Sequence, residues 1–125
     1  LKDYCYQKMF QNCAFLKAPE LPATTLAKGC YYAMFSQCTN MVSGPSVLPA
    51  TELLTDCYRF MFELCSKLTE IDIKATTNIS SGLSGMLAYT ADGTTGTINC
   101  TQEFKDAVTS NTSLVPANWS TNVKY

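Results

Sequence analysis

Cysteine is the residue type best suited to chemistry in this chain, because seven of the 125 residues are cysteines and none is a histidine. Thiols can pair as disulfides, bind zinc or attack a substrate as nucleophiles. The absence of histidine excludes Ser-His-Asp and Cys-His catalysis as well as Cys2His2 zinc sites. The many serines and threonines have no histidine base either, so we expect no catalytic residue, no cofactor and no enzyme activity.

The charge balance of the chain argues against nucleic acid as a binding partner. Nine Lys and Arg residues stand against ten Asp and Glu residues, which gives a net charge of −1. A nearly neutral chain is not expected to bind nucleic acid through its phosphates. No stretch of the sequence approaches the ~18 apolar residues of a membrane-spanning helix, so we expect no membrane insertion in this segment.

Six of the cysteines belong to an internal repeat. The pattern CYxxMFxxC occurs three times, beginning at Cys5, Cys30 and Cys57, so the copies start 25 and 27 residues apart. Such a period is typical of repeat architectures. After residue 73 the repeat ends and the composition shifts to Ser, Thr and Asn. We therefore divide the chain into three repeats, 1–73, and a capping segment, 74–125.

Each copy carries one apolar stripe at helical spacing. Cys5, Met9 and Cys13 are spaced i, i+4 and i+8, and Tyr6 and Phe10 run beside them. Side chains at this spacing share one face of an α-helix. The pattern predicts a short helix in each copy, ended by the proline-containing stretch that follows.

The segment after each predicted helix alternates between apolar and polar residues, which indicates a short strand. In the third copy the inward residues would be Leu68, Ile71 and Ile73. In the first copy the same alternation places Pro19 and Leu21 inward, and Ala18 and Glu20 outward. One helix and one strand cannot bury both apolar faces alone, so we expect the copies to stack, with a parallel sheet on one side and helices on the other.

Stacking would align equivalent side chains as ladders. The expected ladders are Phe10/Phe35/Phe62, Cys5/Cys30/Cys57 and Cys13/Cys38/Cys65. Within one helix Cys5 and Cys13 would lie about 12 Å apart at ~1.5 Å per residue, too far to share a metal ion or a disulfide. Because these cysteines lie on the apolar stripe, we expect buried free thiols and no metal site, with disulfides between copies as the alternative.

The outward side of the predicted strands is the candidate binding face. It would carry Glu20, Ser46, Glu70 and Asp72, and the alternative is an ordinary solvated face. Three strands of three or four residues offer a face of roughly 200 Å². A standard protein interface takes about 800 Å² from each partner, so this face alone is too small.

The capping segment adds two kinds of local signal. Four sequences match the N-glycosylation pattern Asn-x-Ser/Thr, at Asn78, Asn99, Asn111 and Asn118, although several would arise by chance in such a composition. Asp92-Gly93 predicts a turn.

The motifs CYxxMFxxCxxL, Pro-x-Leu-Pro-Ala-Thr-x-Leu and Leu68-x-x-Ile71-x-Ile73 resemble leucine-rich repeats of the bacterial BspA-like type. The capping segment is similar to the C-terminal cap of such proteins through Met86-Leu87, the run 93–97 and Val115-Pro-Ala-Asn-Trp119. The resemblance implies an α/β fold: a right-handed leucine-rich repeat solenoid with short parallel strands on one side, short helices on the other and a cap containing Trp119.

The same resemblance implies a function without catalysis. It implies protein recognition or adhesion by a secreted or cell-surface protein of a microbe, with a partner of unknown identity. Because the first copy begins at residue 5 with nothing ahead of it, we also expect upstream repeats of the same chain. One alternative is a structural or host-binding decoration of a phage virion. A second is a carbohydrate-binding module, for which Tyr89, Trp119 and Tyr125 are the candidate aromatic residues.

Overall fold

The computed structural model describes residues 1–91 and 93–125, so Asp92 of the predicted turn Asp92-Gly93 lies outside the described residues. Within these ranges the chain forms three strands and two helices. In chain order they are β1 (Glu70–Asp72), α1 (Ile79–Gly82), β2 (Gly96–Cys100), α2 (Gln102–Ser110) and β3 (Trp119–Val123). None of these helices is both long and apolar enough to cross a membrane.

The three strands form one open parallel sheet in the order β1-β2-β3. Ile71 of β1 pairs with Ile98 of β2, and Ile98 pairs with Thr121 of β3. Two strands and both helices therefore come from residues 74–125, the segment expected to act only as a cap.

The predicted leucine-rich repeat solenoid is wrong. Residues 1–69 form neither the short helices nor the extended strands that the repeat pattern predicts, and turns take the place of the helices. Outside β1, the strand pairing expected between copies is reduced to single bridges, such as Lys17 with Ser43 and Leu48 with Ile73. The observed architecture is a small mixed α/β fold with an open sheet.

The turns in the first copy repeat every four residues. Tyr4, Lys8 and Asn12 have φ values of 54°, 56° and 60°, in the left-handed region. A side chain at every fourth position faces the same way in this conformation, as it nearly does in an α-helix. The spacing of Cys5, Met9 and Cys13 therefore fits both conformations, which is why the helix prediction failed while the apolar stripe is present.

Hydrogen bonds between the copies account for the turn conformation. The Met9 N–H donates to the Tyr6 carbonyl inside its own turn (3.3 Å), but the Phe10 N–H donates to the Met34 carbonyl of the next copy (3.0 Å). Along each copy the N–H groups alternate in this way: one donates to a carbonyl within its own turn, and the next donates to a carbonyl of the following segment. In the interior of an α-helix every N–H donates to a carbonyl of the same helix. In these turns only half of the N–H groups do so, and the other half donate to a neighbouring copy.

Equivalent aromatic rings stack between the copies. The Phe35 ring lies 5.8 Å from Phe10 and 5.7 Å from Phe62, with interplanar angles of 5° and 7°. Tyr31 stacks in the same way between Tyr6 and Tyr58, at 5.8 and 6.1 Å. Apart from the exposed Tyr6, these side chains belong to or pack against one continuous apolar core shared with the sheet and the helices.

The predicted inward residues of the third copy are buried, as expected for Leu68, Ile71 and Ile73. The first copy differs, because Ala18 is buried and Pro19 is exposed. Here only Lys17 pairs across to Ser43, and the Ala18 N–H donates to the Ser43 carbonyl (2.9 Å). With so little strand pairing, strict alternation does not hold.

The core continues into residues 74–125 through α2 and β3. Thr101 caps α2 by accepting a hydrogen bond from the Phe104 N–H (3.2 Å), and its hydroxyl donates to the Ala75 carbonyl. Phe104 is fully buried, and the Trp119 ring lies against the backbone of Gly96, where any Cβ atom would collide with it. The segment is thus an integral part of the fold.

Candidate functional site

The four residues predicted for the binding face lie together. Ser46, Glu70 and Asp72 line a shallow polar cleft of about 390 Å³, beside Lys17 and Lys124. The Glu20 carboxylate accepts hydrogen bonds from the Ser46 N–H (2.9 Å) and hydroxyl (2.6 Å). We call this surface, with its two lysines, the polar cleft.

Asp72 is the most heavily engaged residue of the polar cleft. It forms an ion pair with Lys124, and it accepts hydrogen bonds from the Tyr125 hydroxyl (2.7 Å) and the Asn99 amide (2.6 Å). Partial burial raises the pKa of Asp72, but these three hydrogen bonds outweigh it and hold the pKa below its ordinary value. Asp72 is therefore a fixed negative charge.

The other carboxylates of the polar cleft are also engaged. Hydrogen bonds from Ser46 lower the pKa of Glu20. The side-chain amide of Asn99 also donates to Glu70 (2.8 Å), and the Asn99 side-chain oxygen accepts from the Asn122 side-chain amide (2.8 Å). The polar cleft thus offers a pre-organised pattern of hydrogen-bonded carboxylates, which suits non-covalent contact.

The described residues contain no cluster of three or more Cys, Asp or Glu side chains placed to hold a metal ion.

Some residues that line the polar cleft or contact Asp72 could not be found from the repeat. Asn99 lies opposite Asp72 in the β1–β2 register, but no repeated motif marks β2. Lys124 and Tyr125 reach Asp72 across 52 and 53 residues of sequence. Their position depends on β3 joining the sheet, and nothing in the local sequence signals that.

A second surface lies on the first copy, at the end of the row of copies. Met9 is 54% exposed, whereas the equivalent Met34 is 2% exposed and Met61 is fully buried. Tyr6 and Cys5 are also exposed. We call this surface the N-terminal end face; it includes a groove of about 410 Å³ lined mainly by apolar side chains.

The backbone of the N-terminal end face presents a row of acceptors. In the second copy the Cys30 carbonyl accepts from the Tyr6 N–H (2.9 Å) and the Met34 carbonyl accepts from the Phe10 N–H (3.0 Å). The equivalent carbonyls of the first copy accept no backbone hydrogen bond from any described residue; they belong to Cys5, Gln7, Met9 and Gln11.

All seven cysteines are free thiols. Cys30, Cys38, Cys57, Cys65 and Cys100 are buried, and burial raises the pKa of Cys57 and Cys65 to about 12. The prediction of burial was wrong for the first copy, where Cys5 is exposed and Cys13 is half-buried. Among the described residues, a neighbouring copy lies on only one side of the first copy, which leaves these two thiols incompletely covered.

The candidate sugar-binding aromatics differ in accessibility. Trp119 is 7% exposed and belongs to the core. The Tyr125 ring faces the ammonium groups of Lys74 and Lys124, 5.0 and 5.4 Å from its centre. Tyr89 is 75% exposed, at a cleft of about 810 Å³ whose other described lining residues are also uncharged.

Comparisons of the chain with models of protein families, with curated proteins and with solved structures find no match. The resemblance to BspA-like repeats stays a prediction that depends on the sequence motifs alone.

Proposed function

We propose that this chain is a non-enzymatic protein-recognition module that contacts its partner through the N-terminal end face. One observation carries the proposal: the first copy exposes the apolar side chains that the other two copies bury. Exposed apolar patches bordered by polar groups commonly mark interaction sites. We place this contact on a secreted or cell-surface protein of a microbe, as the resemblance to BspA-like repeats implies.

The polar cleft supports recognition next to this face. Glu20 lines the apolar groove of the N-terminal end face, and it also bonds Ser46 in the polar cleft. The two surfaces therefore adjoin. An apolar patch with a charged rim is the usual composition of a protein interface, in which the rim charges orient the partner.

The chemistry of the N-terminal end face restricts the partner. Its backbone row consists of acceptors, so the partner must supply N–H donors along with apolar side chains. A further segment of the CYxxMFxxC type meets both demands, because each copy directs alternate N–H groups toward the carbonyls of the next. Upstream repeats of the same chain remain our first candidate for such a segment.

An extended chain tests this proposal. A second version of residues 1–25 is joined ahead of Leu1, with Cys5→Ser and Cys13→Ser in the added segment. If the added segment covers the N-terminal end face, alkylation of the original Cys5 slows by about tenfold or more, because buried thiols are inert.

The matched control carries Tyr6→Asp and Phe10→Asp in the added segment, which keeps its length but removes its apolar stripe. We expect alkylation of the original Cys5 to stay fast in this control. Equal alkylation rates in both extended chains and the parent chain would show that the face does not take such a segment.

Saccharide binding is a second candidate function, favoured by the exposure of Tyr89. Sugar rings pack on exposed aromatic faces, and the surrounding uncharged cleft suits a neutral ligand. Binding on a glycan array should be lost in Tyr89→Ala and kept in Tyr6→Ala, which removes an exposed aromatic elsewhere. Binding unchanged by Tyr89→Ala, or no binding by the parent chain, would remove this candidate.

A further inference from the structure

We infer that Asn111 is the acceptor that the folded chain presents for an N-linked glycan. The sequence alone offers four equivalent patterns, at Asn78, Asn99, Asn111 and Asn118. The structure makes them unequal through the exposure of each asparagine and the hydrogen bonds of its amide. This inference is independent of the proposed protein contact.

The side-chain amides of Asn99 and Asn118 are used in hydrogen bonds within the protein. Asn99 is 6% exposed and its amide nitrogen donates to both Glu70 and Asp72. The Asn118 amide nitrogen donates to the carbonyls of Ala91 and Thr94, both at 3.0 Å. A glycan on either nitrogen would replace one of its hydrogens and place a sugar where protein atoms lie.

Asn111 has the opposite surroundings. It lies at the C-terminal end of α2, and all three residues of its pattern, Asn111, Thr112 and Ser113, are exposed. Its side-chain oxygen accepts hydrogen bonds from the Ser113 hydroxyl (2.7 Å) and N–H (3.3 Å). Its amide nitrogen donates to no described residue and is open to an enzyme.

Asn78 is intermediate between these cases. It is exposed, but its amide nitrogen donates to Glu52 (3.4 Å), and the middle residue of its pattern, Ile79, is buried in the core. Ser80 does not contact the Asn78 side chain in the way that Ser113 contacts Asn111. We therefore expect Asn78 to be modified less than Asn111.

The modification requires an external transferase and a glycosyl diphosphate as the sugar donor. The Asn111 amide nitrogen forms a bond to the anomeric carbon, and the bond from that carbon to the diphosphate oxygen breaks. The diphosphate leaves with the electron pair, and the nitrogen loses one proton to a base of the transferase. The hydrogen bonds from Ser113 polarise the amide from its oxygen side.

The test is expression of the full chain behind a secretion signal in a eukaryotic host. The folded, protease-resistant protein is isolated, and glycan positions are mapped by enzymatic deglycosylation in heavy-oxygen water, which marks each former site. We expect Asn111 to carry the main glycan, with lower occupancy at Asn78 and none at Asn99 or Asn118.

Four variants make the test specific. Asn111→Gln and Ser113→Ala should both remove the main glycan, and Ser113→Ala leaves the asparagine itself in place. Ser80→Ala and Ser120→Ala, which disable the patterns at Asn78 and Asn118, should keep it. A folded protein without glycan on Asn111, or with greater occupancy at any other position, would overturn the inference.

Discussion

A thiol that is buried among apolar side chains resists ionisation, and the cysteines of this protein are buried to different degrees. Cys57 and Cys65 lie in the centre of the core and have pKa values of about 12, whereas Cys5 lies on the surface. Cys65 also donates to the Phe35 carbonyl (3.1 Å). The five buried cysteines serve as small packing residues, and the reactivity of each thiol depends on how completely its neighbours cover it.

Native-state thiol labelling should follow this gradation. We expect Cys5 to react quickly, Cys13 more slowly, and the five buried cysteines only after denaturation. Mass spectrometry after timed alkylation identifies the modified residues. Labelling of four or more thiols in the native protein would contradict the burial of the core.

Alkaline pH should destabilise the fold through Cys57 and Cys65. Burial raises the pKa of each thiol from 9.0 to about 12, so the unfolded chain holds fewer protons than the native chain between these values. The contribution of these thiols to the free energy of unfolding is fully present below pH 9. It falls as the pH rises toward 12, by about 1.4 kcal/mol per pH unit for each thiol.

Urea denaturation at several pH values measures this loss. Cys57→Ala should reduce the pH dependence between pH 9 and 12, whereas Cys5→Ala, at an exposed position, should leave it unchanged. An equal pH dependence in the parent chain and Cys57→Ala would exclude the thiol as its source.

At the scale of elements, the repeats show which features of a sequence determine side-chain position and which determine backbone conformation. The stripe of Cys30, Met34 and Phe35 is buried as the spacing predicts. The backbone is not helical, because hydrogen bonds to neighbouring copies replace half of those inside a helix. Such bonds depend on residues about 25 positions away, which no local pattern reports. Strands β2 and β3 were missed for the same reason, because their pairing also joins residues far apart in the sequence.

Glycine substitutions distinguish the turn conformation from a helix. Lys8 has a left-handed backbone and Gln7 does not, and both side chains are exposed. Lys8→Gly should stabilise the protein by about 1 kcal/mol because glycine adopts positive φ without strain. Gln7→Gly should destabilise it by up to about 1 kcal/mol, through the greater backbone entropy of glycine in the unfolded chain.

Chemical denaturation of the two variants gives the comparison. In an α-helix both substitutions would cost about 0.8–1 kcal/mol, since Lys and Gln have similar helix propensities. Equal destabilisation by both would therefore support the helix that the sequence pattern predicts.

The stacked phenylalanines should contribute unequally to stability. Phe35 is fully buried between two rings, so Phe35→Ala should cost about 3–5 kcal/mol by opening a cavity. Phe10 stacks on Phe35 from one side and is partly exposed, so Phe10→Ala should cost clearly less. Denaturation midpoints of the two variants measure the difference, and a native-like midpoint for Phe35→Ala would refute the packing.

At the scale of the whole molecule, some residues of the polar cleft could be predicted from the sequence and others could not. The outward positions of Glu70 and Asp72 follow from the alternation in the third copy. Lys124 and Tyr125 join them only through the order of strands in the sheet. The exposure of the first copy did not follow from the repeat pattern, which predicted buried cysteines in all three copies.

We expect the chain to be monomeric in solution. Two molecules meeting symmetrically through their N-terminal end faces would oppose carbonyl to carbonyl and leave those groups without donors. Size-exclusion chromatography with light scattering should give the mass of one chain, 13.7 kDa. A symmetric dimer that Met9→Asp dissociates would contradict this prediction and would favour a self-assembling component of a virion.

The one-way direction of the hydrogen bonds between copies makes the two ends of the molecule unequal under truncation. Removing residues 1–25 would uncover a second copy that again presents carbonyls at its edge, so the shortened protein would end as the original does. Removing residues 74–125 would instead leave the N–H groups of the third copy without acceptors; they belong to Asp56, Tyr58, Phe60, Phe62 and Leu64. The protein should therefore stay folded when residues 1–25 are removed by proteolysis. It should unfold when residues 74–125 are removed.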